Sequence, residues 1–280
     1  MRQGVTSWLG RRPGRHGTLA AGLGLAGLVL FCGFIAPFLY PADPYAIHPA
    51  QALRPPSRLF PLGTDELGRD ALALLLSGGF STLAVALPAA ALAFLTGAAY
   101  GFAAGLGPLW LDKALMRLLD VALALPGLIV LLFFAALVPQ TNLNLILLLG
   151  LISWPGLARL VRNEARAQRG RDFILAAEQA GASRAYLALV HLSRIVAPVL
   201  VVNATFMTGD AILSLSALSF LGLGVQPPQE SWGSLLESGL SLAALNPWWL
   251  ILPPGLLIFA ALLAAAMTGQ GLLTSWQGDA

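Results

Sequence analysis

The sequence predicts an all-α integral membrane protein. Three observations carry this. Apolar residues of the AVILMFWYC set make up 57% of the 280 residues and charged residues only 10%, against about 25% charged in an ordinary soluble domain. Mean hydropathy is +0.77. Long stretches carry no charge at all: Thr18 to Tyr40, Ala71 to Leu111 and Val121 to Ala158, and about 20 apolar residues suffice for one helical crossing. With one cysteine, Cys32, no intrachain disulfide or cysteine metal cluster can form. The histidines (His16, His48, His191) are too far apart in sequence to pair on a helix. A net charge of +3 is too small to argue for nucleic acid.

The elements follow in order. Residues 1–17 form a basic head with Arg2, Arg11, Arg12 and Arg15. The apolar run behind it exceeds a signal-peptide core and no A-x-A site directly follows it, so 18–40 reads as an uncleaved first span. Residues 41–79 read as an extracytoplasmic segment. The second span is expected near Phe80 to Leu106. In it Gly97, Gly101 and Gly105 recur every fourth residue. That spacing lets two helix backbones approach closely, although glycine is also simply common in membrane helices. Val121 to Ala158 is too long for one crossing, and Pro139 to Asn144 supplies a polar turn, giving spans three and four. Ile195 to Gln229, interrupted only by Asp210, holds the fifth span, and Ala243 to Leu273 the sixth. Residues 80–275 are thus a five-helix core carrying a polar loop at 161–194.

Lys and Arg near span ends set the orientation. With the N-terminus inside, 13 of the 16 basic residues fall on the cytoplasmic side, 7 of them between spans four and five. Both termini are therefore expected in the cytoplasm.

That polar loop reads as helix from Arg162 to Gln168 and from Asp172 to Ala180, with breaks at Gly170 and Gly181. Ala176, Ala177 and Ala180 place small side chains just before a glycine. Such a face allows a second protein to sit near the backbone, or packs on the underside of the bundle.

Ala176-Ala177, Gly181 and His191 resemble the cytoplasmic EAA loop of ABC-importer permeases. Gly63-Thr64-Asp65-Glu66-Leu67-Gly68-Arg69-Asp70 and Leu218-Ser219-Phe220-Leu221-Gly222-Leu223-Gly224-Val225-Gln226-Pro227-Pro228, followed by Ser231-Trp232-Gly233, resemble hallmarks of the C-type permease in dipeptide, oligopeptide and nickel importers. The resemblance covers residues 60 to 260. It implies the type I importer permease fold with a cytoplasmic coupling helix, in which Leu175, Ala176, Ala177, Glu178, Ala180, Gly181 and His191 serve ATPase coupling. It also implies a homologous B-type permease, two cytoplasmic ATPases and an extracytoplasmic binding protein as partners. Five positions depart from the family pattern. Leu175 stands where the Glu of EAA is usual, with Glu178 three residues on; Arg194 replaces a Pro after His191. Leu215 replaces a fifth-span Glu, and Ala266 with Gly269-Gln270-Gly271 replaces a terminal Asn and Gly-Asp-Gly. The substrate stays open between peptides and nickel or metallophore complexes.

The chain's only lysine is Lys113, preceded by Asp112 and followed by Ala114, so no G-x-x-x-x-G-K-[ST] loop exists. If ATP drives transport, it and its Mg bind on separate subunits; no cofactor and no catalytic residue is expected here. Asp210 is the one ionisable residue deep within a span and should face the bundle interior, a wet cavity or a partner. It reads either as a translocation-path residue, with Asn203 and Ser214 nearby on the same helix, or as a structural carboxylate bonded to Ser214 or Thr208. Asp65, Glu66, Arg69 and Asp70 contact a binding protein or fix the entry into span two. Trp248 and Trp249 read as interfacial anchors. A proton-coupled secondary transporter would use Asp210 but would leave the Ala/Gly loop without a purpose.

Overall fold

In a computed structural model, residues 15–169, 171, 179–181, 183, 186, 187 and 192–276 are described. Among these the chain is helical, with no strand and one isolated bridge between Thr64 and Asp70.

Helix α1 runs from Arg15 to Leu30 and continues through a π turn at Phe31–Ile35 into Ala36–Leu39. Helix α2, Ala71–Leu106, has 36 residues, about 54 Å at 1.5 Å per residue. It starts nine residues before Phe80, inside the segment 41–79, because Asp70 caps it. The Asp70 carboxylate accepts from the backbone N–H groups of Leu72 at 2.8 Å and Ala73 at 3.2 Å, satisfying donors a helix start leaves orphaned.

Two pairs of helices are sharply bent. Helices α3 (Leu109–Ala124) and α4 (Gly127–Leu137) meet at 82°, and α5 (Asn142–Ser153) and α6 (from Pro155 to Arg169) at 41°. Proline explains both bends. Leu125, before Pro126, is pushed into the extended region at φ −100°, ψ 140°. Pro155 cannot donate the hydrogen bond that would continue α5 into α6. Helix α7 spans Ser193–Phe220, α8 Trp232–Ser241 and α9 Trp248–Trp276. Among the described residues four helices (Gly17–Leu39, α2, α7 and α9) are long and apolar enough to cross a membrane singly, and the crossings number up to six if each bent pair is one. The short helix α8 falls where the sequence suggested only connection. Its start is a capping box, in which Ser231 Oγ accepts from the Ser234 N–H and Ser234 Oγ from the Ser231 N–H.

Helix α2 is the axis of the bundle, packed against α5, α6, α7 and α8, while α1 lies along α9. The core gathers Leu83 and Val85 of α2, Leu145 and Leu149 of α5, Leu215 and Leu218 of α7, and Trp232. The glycine stripe of α2 has a defined partner, α6. A Cβ on Gly97 would stand 2.9 Å from Trp154 O, one on Gly101 2.6 Å from Val161 Cβ, and one on Gly105 2.7 Å from Ala165 Cβ. Ala158, Val161 and Ala165 on the facing side of α6 are fully buried. Small residues on both surfaces bring the two backbones together.

Candidate functional site

Three sites hold the residues that the sequence singles out. At one end of the bundle, segment 63–70 folds into a clasp. Gly63 and Gly68 take φ of +71° and +75°, and a Cβ on Gly68 would overlap the carbonyl of His48; only glycine fits there. Asp65 is nearly buried. Its Oδ1 accepts from the N–H groups of Leu67 at 2.9 Å and Arg69 at 2.7 Å, and its Oδ2 from Arg69 Nε at 2.6 Å. Arg69 Nη1 donates to Glu230 Oε1 at 3.2 Å. Burial opposes the guanidinium charge, but the two carboxylates outweigh it and hold the Arg69 pKa above its ordinary value. The Asp70 Oδ2 accepts from the Tyr40 hydroxyl at 2.7 Å; desolvation, and then this carboxylate, push the Tyr40 phenol up to about 12. Trp249 Nε1 donates to Thr64 O at 3.1 Å.

The two family-like strings, 63–70 and 218–233, are thus joined through Arg69 and Glu230. Trp232, with no exposed surface, donates from Nε1 to Leu75 O at 3.1 Å and from its N–H to Thr82 Oγ1 at 3.1 Å. The tryptophan pair divides: Trp248 is exposed, as an anchor would be, whereas Trp249 belongs to the clasp. Asp65, Arg69 and Asp70 spend their polar groups inside the chain. Glu66 is exposed and makes no ion pair among the described residues.

The second site is a cavity of about 310 Å³ where α4, α5 and α7 meet, lined by Gly127, Leu128, Ile152, Ser153, Asp210 and Ser214 among others. Asp210 is exposed in the isolated chain. Its carboxylate accepts no hydrogen bond from a described residue, and Thr208 Oγ1 donates instead to Ala204 O at 2.9 Å. Asn203 stands apart from this cavity, with its Nδ2 donating to Val199 O of its own helix at 2.8 Å.

The third site is the loop after α6. Leu175, Ala176, Ala177, Glu178 and His191 lie outside the described residues. Ala180 and Gly181 are exposed in a turn, with Gly181 at φ +85° and no described residue within 4 Å of where its Cβ would stand.

Sequence reasoning missed a buried ion cluster leading into that loop. Asp112 on α3, 3% exposed, accepts from Arg162 Nε at 2.7 Å and Arg162 Nη2 at 2.6 Å, and from Arg166 Nη1. Arg159 Nη2 donates to Asp120 Oδ1 at 2.5 Å nearer the bends. The available signal was Arg159, Arg162 and Arg166 at spacings of three and four on one helix face, opposite an acid four residues into a short amphipathic helix.

Apolar helices long enough to cross a membrane, several of them enclosing a cavity lined by Asp210, define a polytopic helical membrane protein. The chain belongs to the family of binding-protein-dependent transport system inner membrane components, which it matches over residues 97–274. It is 37% identical over 252 residues to the di/tripeptide transport system permease protein DppC of Pseudomonas aeruginosa, covering 88% of this chain and 82% of that protein. It is 36% identical over 253 residues to a putative peptide permease protein of Brucella suis, covering 90% and 83%. It is 32% identical over 245 residues to the probable D,D-dipeptide transport system permease protein DdpC of Escherichia coli, covering 88% and 82%. The chain is an ABC-importer permease component, as the motif resemblance implied.

Proposed function

We propose that this chain is one of two permease subunits of an ATP-driven importer of di- or oligopeptides, forming half of the translocation path. The observation that carries the reading is the 37% identity to a di/tripeptide permease across 82% of its length. The second permease is a homologous B-type subunit. Two cytoplasmic ATPases bind ATP and Mg, and an extracytoplasmic protein delivers the substrate. The distribution of Lys and Arg supports cytoplasmic termini, with the clasp outside and the loop 161–194 inside. In that loop the segment from Leu175 to Gly181, with His191, engages the ATPases, whose closure on ATP biases the bundle between two states.

Asp210 and Ser214 form part of the path, and the unpaired carboxylate suits the cationic amino end of a peptide. Asp210→Asn is expected to lower uptake at least about tenfold, the loss of a charged contact worth about 1.4 kcal/mol or more, at unchanged abundance in the membrane. A fall in abundance would instead make Asp210 a structural group. Gly181→Asn keeps the left-handed backbone, which Asn tolerates, whereas Gly181→Leu strains it and adds bulk. Uptake should survive the first and fail in the second.

The reading as a whole is tested in proteoliposomes holding both permeases and both ATPases, supplied with the binding protein and a dipeptide pool. Uptake that requires ATP upholds it. Uptake driven by a pH gradient without ATP would replace it with a proton-coupled carrier.

A further inference from the structure

Beyond the bends, α3 and α6 form two arms tied by Asp112 to Arg162 and Arg166 and by Asp120 to Arg159. Helix α3 has an inner and an outer face. Asp112 and Leu119, seven residues apart and so on one side of the helix, are buried. The opposite side carries Trp110, Lys113, Ala114, Arg117 and Val121 at spacings of three and four. All five are exposed, Trp110 at 71%.

Charge is divided unequally between these faces. Both carboxylates of the helix are taken by arginines of α6, whereas Lys113 and Arg117 make no ion pair with a described residue. The two cations stand four residues apart, where side chains on a helix are neighbours and like charges repel. One anion shared between them removes that repulsion and gains a contact to each.

The surroundings of the pair select the anion. Trp110 lies one turn before Lys113, and tryptophan is enriched at the level of lipid headgroups. On the other side Leu118 and Val121 are exposed and apolar, and no charge follows from Val121 to Ala158. The outer face thus passes from aromatic through basic to apolar, the order of a headgroup layer over hydrocarbon. A soluble acidic protein or a free phosphate would meet the cations and leave Leu118 and Val121 uncovered. A lipid with an anionic headgroup covers both. Trp248, exposed at the opposite end of the bundle, supplies the contrast: the chain has no Lys or Arg beyond Arg194. Anchoring by tryptophan does not in itself call for a basic pair.

We propose that Lys113 and Arg117, beside Trp110, bind the phosphate of an anionic phospholipid whose acyl chains run along Leu118 and Val121. Long basic side chains lay their stems over apolar surface and carry the charge out to the headgroup. Anionic lipid attracts cations that lie next to a membrane span. Asp112 and Asp120 prepare the site indirectly, because their carboxylates are spent on α6 and not on Lys113 or Arg117. The site goes beyond the transport reading and does not depend on it.

The test uses the full chain in lipid nanodiscs, alone and assembled with the second permease and the ATPases. A bimane label is placed at Val121→Cys in a Cys32→Ser background. Its quenching is compared for brominated phosphatidylglycerol and brominated phosphatidylcholine at equal mole fraction. Phosphatidylglycerol should be enriched at the label at least about fivefold. A label at Phe259→Cys, on the exposed apolar surface of α9, should show no preference. Lys113→Gln with Arg117→Gln should abolish the enrichment and Lys113→Arg should keep it. Salt at about 1 M, which screens charges within about 3 Å, should weaken it. If the double variant does not accumulate, Arg117→Gln alone should lower the enrichment at least about twofold. Equal quenching by the two lipids, or an enrichment that survives loss of the cations, overturns the proposal. An enrichment seen for the chain alone but lost on assembly also overturns it and gives this face to a partner subunit. Failure of the ATPases to bind would remove the proposed function and leave the lipid result on the chain alone standing.

Discussion

The two ends of the bundle use the same chemistry, carboxylates facing arginines, in different settings. In the clasp, Arg69 joins a loop to the start of α8 while Asp70 caps α2. Every bond there ends on a turn or a helix terminus, so it holds the chain's path in place. In the arms, Asp112 in the first turn of α3 and Asp120 nearer the α3–α4 bend join α3 to α6. The arm ties join two helices, one of which also packs along α2 through the glycine stripe, whereas the clasp ties loops to helix starts. Burial agrees: Asp65, Asp70 and Thr64 of the clasp are all nearly covered, whereas the arm ties grade from buried Asp112 to exposed Asp120.

Substitutions can break this contrast. The largest effect should come from Trp232→Ala, which empties a site with no exposed surface beneath the clasp. About 3–5 kcal/mol of stability should be lost, read as thermal unfolding in detergent. A midpoint within 2 °C of the parent, roughly the shift 1 kcal/mol produces in a chain this size, would show that the clasp does not rest on it. Next, Gly101→Ala should cost about 1–3 kcal/mol by overpacking against Val161 and the carbonyl of Ala158. Gly24→Ala, with nothing within 4 Å, should be neutral. Equal midpoints for the two would dissolve the α2–α6 contact.

Arg69→Met leaves Asp65 and Glu230 facing each other without their shared donor and should cost about 1–3 kcal/mol. Adding Glu230→Met should recover part of that loss, and a double variant no better than the single one would refute the bridge. The smallest effect belongs to Asp120→Asn, whose exposed pair should contribute less than about 1 kcal/mol. Unchanged unfolding with unchanged uptake would leave the tie between α3 and α6 to Asp112; a larger loss than at Arg69 would invert the comparison of the two ends.

Much of this was legible without coordinates. The charge-free runs, the polar turn at Pro139 to Asn144 and the placement of Lys and Arg are local facts, and the bilayer's thickness turns them into helices. The motif string 63–70 announced its importance, and the glycine stripe its close packing. The helix start at Ala71 was less legible because a cap is a single side-chain geometry, and the hydropathy of residues 71–79 matches that of the span they precede. Helix α8 was missed because ten residues with a polar start read as connection. Neither proline bend was expected as such, since a charge-free run conceals a change of direction inside it.

Sequence alone settled that the chain lives in a bilayer, that it lacks a phosphate-cradling loop, and which family it resembles, because composition and contiguous motifs carry those facts. Tertiary structure decided which residues meet: Arg69 with Glu230 across 161 positions, Trp249 with Thr64 across 185, and Asp112 with Arg162 across 50. It also decided that Asp210 opens on a cavity between two broken helices. The physical reason is range. Helix formation and membrane partition act between neighbours in the chain, whereas ion pairing and cavity shape depend on distances that only packing brings about.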